Sequence, residues 1–197
     1  MIRLPISLLF LLYCSHSLFS QQSYLKGYVV LTTGDTLHGE VKDRDINIGR
    51  LLSRIRFKQN GKKLKKYSAY DVSSYSIDNV VFASKWYEEQ AEFFNSRYLN
   101  QYGRGEKVFL RVNSKGRLSC YTKEFVDQDD VAINGFELFI KEGDDYFERA
   151  NQGLFGLKKK KLTKYFSDCP ALVENINNGD IRTALEVAVF YNSECDK

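Results

Sequence analysis

The 197-residue chain carries 29 lysine and arginine residues against 25 aspartate and glutamate residues, a formal net charge of +4. Aromatic residues make up 14% of the sequence and prolines number 2, a composition typical of a compact, β-rich protein and not of a disordered one. Two histidines are too few for a zinc or copper site built on several of them, and no phosphate-binding glycine loop or dinucleotide fingerprint occurs, so neither a metal nor a cofactor is predicted.

Residues 1–20 have the three parts of an export signal. Arg3 supplies the positive start, residues 6–13 form an apolar core, and serines follow at Ser17 and Ser20. The apolar core is shorter than the ~20 residues that a membrane-spanning helix needs, so we expect cleavage instead of permanent insertion. Cleavage after Ser20 is the first expectation, and cleavage after Ser17 is the alternative.

A lipid anchor on Cys14 is the competing interpretation of this segment. The cysteine of a lipoprotein signal follows a small residue, and Tyr13 is bulky, which argues against lipidation. No long apolar run follows, so no transmembrane segment is expected in the mature chain. The sequence therefore predicts an exported protein, periplasmic or extracellular and soluble after cleavage, with no nucleic-acid partner.

Residues 21–153 are predicted to form an antiparallel β domain, because runs that alternate with a period of two are separated by short turns. The first hairpin covers residues 24–42, with Gly34 in the left-handed conformation. Its register places four pairs opposite each other: Val29 with Leu37, Tyr28 with His38, Gly27 with Gly39, and Leu25 with Val41. The facing glycines would admit another strand or an aromatic ring. His38 then lies on the solvent face, which argues against a catalytic base.

Three more pairs of short strands follow the same pattern. They are residues 54–58 with 64–70, residues 75–77 with 80–84, and residues 136–141 with 146–149. Residues 43–54 have weak periodicity and are predicted to be a loop.

The clearest hairpin covers residues 107–125. A three-residue loop with Gly116 in the left-handed conformation predicts three facing pairs: Val112 with Leu118, Leu110 with Cys120, and Phe109 with Tyr121. In this register a single apolar face is formed by Val108, Leu110, Val112, Leu118 and Cys120.

Residues 85–102 hold the densest group of aromatic side chains. The group consists of Trp86, Tyr87, Phe93, Phe94, Tyr98 and Tyr102. Their spacing suits a helix as well as strands, and we predict a mixed strand and irregular segment. Such rings can stack on sugars, line an apolar pocket or complete a β core. They are the candidate ligand-binding residues, and no catalytic residue is predicted.

Residues 154–197 change character, because apolar side chains there recur at helical spacing. We expect a helix that ends at Asn178-Gly179, followed by one that Asp180 caps. The apolar stripe of the last helix is predicted to contain Ile181, Leu185, Ala188, Val189 and Asn192. With these helices packed on the β domain, the fold is α+β, its antiparallel hairpins forming a curved sheet or an open barrel.

Three cysteines remain once residues 1–20 are removed. Cys169 begins one helix and Cys195 follows the next, and those ends meet if the two helices are antiparallel. A Cys169–Cys195 disulfide is therefore predicted, as export to an oxidising compartment would permit. A bridge between Cys120 and Cys169 is the alternative; otherwise Cys120 is a buried, inert thiol.

Several of these motifs together resemble an uncharacterised family of exported Gram-negative bacterial envelope proteins. They are the export signal, the GDTLxG run at residues 34–39, the hairpin from Phe109-Leu110 through Gly116 to Tyr121, and the YFSDCP run at residues 165–170. The resemblance implies a cell-envelope protein without an assigned reaction, and it supplies no catalytic residues.

We expect a non-enzymatic interaction or structural module whose partner is an envelope protein, a lipid or a glycan. The alternative is a carrier of an apolar or glycan ligand, and the third hypothesis is a carboxylate-based hydrolase. A convex aromatic surface would favour the module, a deep aromatic pocket the carrier, and a cleft with two convergent acids the hydrolase. Two basic runs, residues 62–66 and 158–161, are solvated surface or contacts for phosphates and acidic polysaccharide.

Overall fold

The structure, a computed structural model, describes residues 23–47, 50–51, 53–92, 95–127, 132–151 and 156–195. The predicted export signal with Cys14 lies outside the described residues, and so do Phe93 and Phe94. None of the helices within the described ranges is long and apolar enough to cross a membrane.

The described chain is α+β, with strands first and helices last. The strands are β1 (Leu25–Leu31), β2 (Thr36–Lys42), β3 (Ile46–Asn47), β4 (Arg50–Leu51), β5 (Arg54–Lys58), β6 (Lys65–Ser68), β7 (Val72–Ile77), β8 (Val80–Glu92), β9 (Asn95–Leu99), β10 (Glu106–Ser114), β11 (Leu118–Val126), β12 (Ile133–Lys141) and β13 (Tyr146–Arg149). The helices are α1 (Lys159–Tyr165), α2 (Pro170–Asn178) and α3 (Ala184–Glu194).

Six strands close into an antiparallel barrel around strand β8. The pairing runs β8–β10–β11–β12–β13–β9 and returns to β8, which at 13 residues is long enough to pair with β7, β10 and β9 along its length. Alternate side chains of these strands point inward. The barrel interior is packed with Ala83, Tyr87, Tyr98, Leu110, Tyr121, Leu138, Ile140 and Phe147.

The remaining strands of the large sheet continue from β8 in the order β7, β1, β2, β5 and β6. They cover the outer face of β8 and β10, where Phe82 and Phe109 alternate with the inward side chains. This second core also contains Val29, Val41, Ile55, Phe57, Tyr67, Ala69, Val72 and Tyr75. The hairpins therefore supply two cores that share one long strand.

The three helices build a third core against the outer face of β11 and β12. Leu118, Cys120 and Phe139 contribute the strand side of this core. The helix side includes Leu162, Phe166, Leu172, Ile176, Ala184, Val187, Ala188 and Tyr191. The predicted disulfide is present: Cys169 and Cys195 are bonded across the ends of α2 and α3, with their Cα atoms 5.5 Å apart.

The first hairpin has the predicted register. Gly27 faces Gly39, Tyr28 faces His38, and Gly34 has a φ of +96°. The expected close approaches also occur: a Cβ atom on Gly27 would lie 2.0 Å from the Ser76 carbonyl oxygen. On Gly39 it would lie 2.9 Å from the Phe57 ring.

We expect Gly27→Ala to lower the free energy of unfolding by about 1–3 kcal/mol, because β1 and β7 must separate to admit the methyl group. Chemical denaturation measures the effect. Lys26→Ala, an exposed position on the same strand, is the control and should change stability by less than about 0.5 kcal/mol. Equal effects of the two substitutions would contradict the close packing at Gly27.

The central hairpin has a different register from the one predicted. Arg111 faces Thr122 and Val112 faces Tyr121, and the pairing shifts at an irregularity before Ser114. Gly116 is not in the left-handed region. It lies against α3, where a Cβ atom would come 2.5 Å from Oδ1 of Asn192.

The shift divides the predicted apolar face, because one extra residue turns every later side chain to the opposite face. Val108, Leu110 and Val112 belong to the barrel core, whereas Leu118 and Cys120 pack under the helices.

Residues 85–102, predicted to mix strand and irregular structure, contain the end of β8, the strand β9 and the start of the loop that follows. Three other predictions about local structure are wrong in detail. Residues 43–54, predicted to be a loop, include the short strands β3 and β4. The cap of α3 is Thr183, whose hydroxyl accepts a bond from the Glu186 N–H. Leu185 and Val189 of the predicted stripe are exposed, because the buried face of α3 is formed by Ala184, Val187, Ala188 and Tyr191.

Candidate functional site

The predicted aromatic group separates onto two faces of the barrel wall. Tyr87 and Tyr98 point inward, their stacked ring centroids 5.9 Å apart, and Tyr98 also contacts Phe136. Both tyrosines are buried, and burial raises the pKa of Tyr87 well above its ordinary value. These two residues are barrel core. Trp86 and Tyr102 lie on the outside.

An aromatic platform on the outer surface is formed by Tyr70, Trp86 and Tyr102. The Trp86 ring is in the centre, with its centroid 5.8 Å from that of Tyr70 and 5.4 Å from that of Tyr102. Both tyrosines meet it edge to face, at interplanar angles of 85° and 69°. Tyr70 is 54% exposed and Tyr102 is 91% exposed, so the platform presents its rings to solvent.

Three separate elements bring these rings together. Trp86 lies on the outer face of β8, four residues beyond Phe82. Phe82 belongs to the second core and Trp86 does not, so the strands of that core leave Trp86 uncovered. Tyr70 belongs to the turn after β6, and its hydroxyl accepts a 3.1 Å bond from the Lys107 N–H. Tyr102 belongs to the loop between β9 and β10.

The loop that carries Tyr102 lies directly on β8. Gly105 has a φ of +64°, and a Cβ atom there would lie 2.3 Å from the Tyr87 carbonyl oxygen. A residue with a side chain could not occupy this position unless the loop moved away from the strand. Gly105 therefore helps to hold Tyr102 beside Trp86.

Charged and polar side chains border the platform. The Arg104 guanidinium donates to both carboxylate oxygens of Glu88, at 3.0 and 3.3 Å, and the Gln90 amide donates to Glu88 at 2.9 Å. These hydrogen bonds lower the pKa of Glu88, and the bond from Arg104 has the largest effect. Lys107 Nζ lies 5.9 Å from the centre of the Trp86 ring. The border thus offers hydrogen-bond donors and acceptors next to flat apolar rings.

A separate cleft of about 530 Å³ lies between the barrel and α1. We call it the Glu148 cleft. Strands β9 and β13 contribute Arg97, Tyr146 and Glu148, and α1 contributes Lys161 and Lys164. It also contains Asp144 and Tyr165, so two acids line one cleft, although Asp144 already accepts a 3.0 Å bond from the Tyr165 hydroxyl.

The structure places the other residues considered from the sequence as follows. His38 is exposed, with its ring centroid 5.9 Å from that of Tyr28. Across the described ranges, no group of three or more histidine, cysteine, aspartate or glutamate residues could hold a metal ion. In the basic run 158–161, Lys161 lines the Glu148 cleft, whereas Lys159 donates to the Asn177 carbonyl oxygen.

Sequence reasoning did not identify Tyr70, Lys107 or Glu148 as site residues. Tyr70 and Lys107 are far in sequence from Trp86, and only the pairing of β10 with β8 places Lys107 opposite it. An isolated tyrosine in a turn gave no signal that it would reach this site. Comparisons of the chain with protein-family models, curated proteins and solved structures found no match.

Proposed function

We propose that the protein is a non-enzymatic binding module of the cell envelope that binds a glycan through the aromatic platform. The observation that carries the proposal is the exposure of Tyr102, 91% accessible to solvent with its ring edge against Trp86. An exposed ring adds little to folding, because its apolar surface stays in water. Aromatic side chains grouped on a surface are typical of binding sites.

The border of the platform favours a glycan over a protein or a lipid. A sugar presents an apolar C–H face to a ring and hydroxyl groups at its edges. Glu88 and Gln90 are polar side chains on the strand that carries Trp86, and Arg104 belongs to the loop that carries Tyr102. A stable protein interface buries about 800 Å² on each partner, and three aromatic side chains at about 150–250 Å² each would supply less than that.

Export to the envelope is the second part of the proposal. It is supported by the sequence features of residues 1–20 and by the Cys169–Cys195 disulfide, since disulfides are typical of oxidising compartments. Such a compartment is also where a glycan-binding surface would meet cell-wall or surface saccharides.

We expect soluble peptidoglycan fragments or lipopolysaccharide core oligosaccharide to change the fluorescence of the protein. Trp86 is the only tryptophan in the chain, so its emission reports on the platform alone. Tyr102→Ala should weaken the binding about two- to tenfold, in line with the energy of a single ring contact. Because Tyr102 is almost fully exposed, this variant should keep the stability of the wild type.

Tyr28→Ala is the matched control, since Tyr28 is another partly exposed aromatic residue on the sheet, next to His38. It should bind the oligosaccharides as the wild type does. Oligosaccharides that leave the emission of Trp86 unchanged would overturn the proposal. Capture of an envelope protein that Tyr102→Ala abolishes, without glycan binding, would assign the platform to a protein partner instead.

A further inference from the structure

Glu148 is an unusual carboxylate, because one of its oxygens is buried without a hydrogen bond. Within the described part of the chain, no donor lies within hydrogen-bond distance of Oε1. The nearest cation is Lys161, with Nζ 3.7 Å away. Burial raises the pKa of Glu148, and the opposing charges of Lys161 and Lys158 do not cancel that effect. The Glu148 side chain as a whole is 19% exposed and lines the cleft, so a ligand that enters the cleft can donate a hydrogen bond to its carboxylate.

The same cleft has cations available for an anionic group. Arg97 and Lys164 line it, and neither has an ion-pair partner among the described residues. Lys141 also lines it, but its ammonium group is already used by the Tyr165 carbonyl oxygen and the Asp168 carboxylate. The cleft can therefore neutralise an anion without breaking an internal bond.

Two aromatic rings complete the cleft. Tyr146 and Tyr165 lie edge to face, with ring centroids 6.3 Å apart, and Tyr146 is 40% exposed. The Tyr165 ring is held in place, because its hydroxyl accepts from the Lys141 N–H and donates to Asp144. The two rings add an apolar surface to the cleft that the cations and Glu148 line.

We propose that the Glu148 cleft binds an anionic sugar. Arg97 and Lys164 contact the acidic group, Glu148 accepts a bond from a sugar hydroxyl, and Tyr146 contacts the C–H face. A neutral sugar lacks the group that the cations require, and a simple anion lacks the hydroxyl that Glu148 requires. The site is distinct from the aromatic platform, and neither proposal depends on the other.

Glucuronate is the probe, with glucose and acetate as matched controls that lack the charge and the sugar respectively. Titration of the isotope-labelled mature protein, followed by NMR chemical shifts, should show glucuronate binding in the millimolar range. Glucose and acetate should bind at least about tenfold more weakly. Glucuronate should change the chemical shifts of residues in β9, β13 and α1. Equal binding of acetate or glucose, or shifts confined to the aromatic platform, would overturn the proposal.

Two variants separate the site from general surface charge. Lys164→Gln should weaken glucuronate binding about three- to tenfold, whereas Lys160→Gln, an exposed position on the same helix outside the cleft, should not. Glu148→Gln should weaken the binding of glucuronate, because the charged acceptor for the sugar hydroxyl is lost. It should strengthen the binding of acetate, because the repulsion between two carboxylates is lost. Equal effects of Lys160→Gln and Lys164→Gln, or the same direction of change for both probes in Glu148→Gln, would overturn the proposal.

Discussion

Replacement of Arg44 by methionine should lower the free energy of unfolding by about 3–5 kcal/mol, the range for breaking a buried ion pair from one side. Arg44 is only 4% exposed. Its guanidinium donates to Glu124 at 2.5 Å and to Asp43 at 3.1 Å, and it lies 4.8 Å from the centre of the Phe82 ring. Without the cation, two partly buried carboxylates lose their counter-charge.

Arg44 lies where the second core meets the barrel, so the loss of its ion pairs affects both parts of the fold. It follows β2 in the chain, whereas Glu124 belongs to β11 of the barrel, 80 residues later. Asp43 is also bonded to the Tyr75 hydroxyl at 2.5 Å, inside the second core. The ion pair thus joins the second core to the barrel.

The control is Arg56→Met, the same substitution at an ion pair that is more exposed than that of Arg44. Arg56 lies 2.8 Å from Asp45, and both side chains are partly exposed to solvent. Pairs of this kind contribute about 0–1 kcal/mol, so Arg56→Met should change stability little. Urea denaturation of the two variants gives the comparison. A similar loss in both variants would mean that burial does not strengthen the Arg44 network.

Loss of the Cys169–Cys195 disulfide should lower the free energy of unfolding by about 3–4 kcal/mol. The bond closes a loop with a sequence separation of 26 residues, and the chain-entropy model gives this magnitude for such a loop. The end of α3 keeps other contacts, since Arg117 donates to the carbonyl oxygens of Tyr191 and Cys195. Cys195→Ser should therefore fold, with reduced stability.

Urea denaturation of Cys195→Ser and peptide mapping of the native protein under non-reducing conditions test this prediction together. The mapping should return Cys169 linked to Cys195, with Cys120 alkylated only after unfolding. Cys120 is fully buried, and burial raises the pKa of its thiol to about 11, so little thiolate forms at neutral pH. Cys120→Ala, which keeps the bond, is the control for loss of a cysteine. Alkylation of Cys120 in the native protein, or its recovery in a disulfide, would contradict this assignment.

Local turn chemistry explains why some hairpins were predictable. Gly34 adopts the left-handed conformation that its loop requires, and Asp78 and Asn79 both have positive φ between β7 and β8. A tight hairpin turn requires positive φ at such positions, and glycine, aspartate and asparagine adopt positive φ with the least strain, so they fix the turn and with it the register of the strands on either side. Gly179 ends α2 in the same conformation, for the same reason.

The register of the central hairpin could not be predicted from the sequence of the hairpin alone. Gly116 looks like a left-handed loop residue, but its role is to admit Asn192 of α3, whose amide bonds both the N–H and the carbonyl oxygen of Leu118. That contact comes from 74 residues away. A pattern read over the hairpin alone contains no information about it, and the register follows the contact.

The positions of the aromatic side chains of β8 likewise depend partly on the sequence and partly on the tertiary structure. Alternation along a strand, which is a property of the sequence, puts Trp86 and Tyr87 on opposite faces of β8. Which face became core depended on closure of the barrel around Tyr87, and closure joins strands from residue 80 to residue 149. Trp86 stayed at the surface because the second core ends before it, and the turn with Tyr70 and the loop with Tyr102 then met it there.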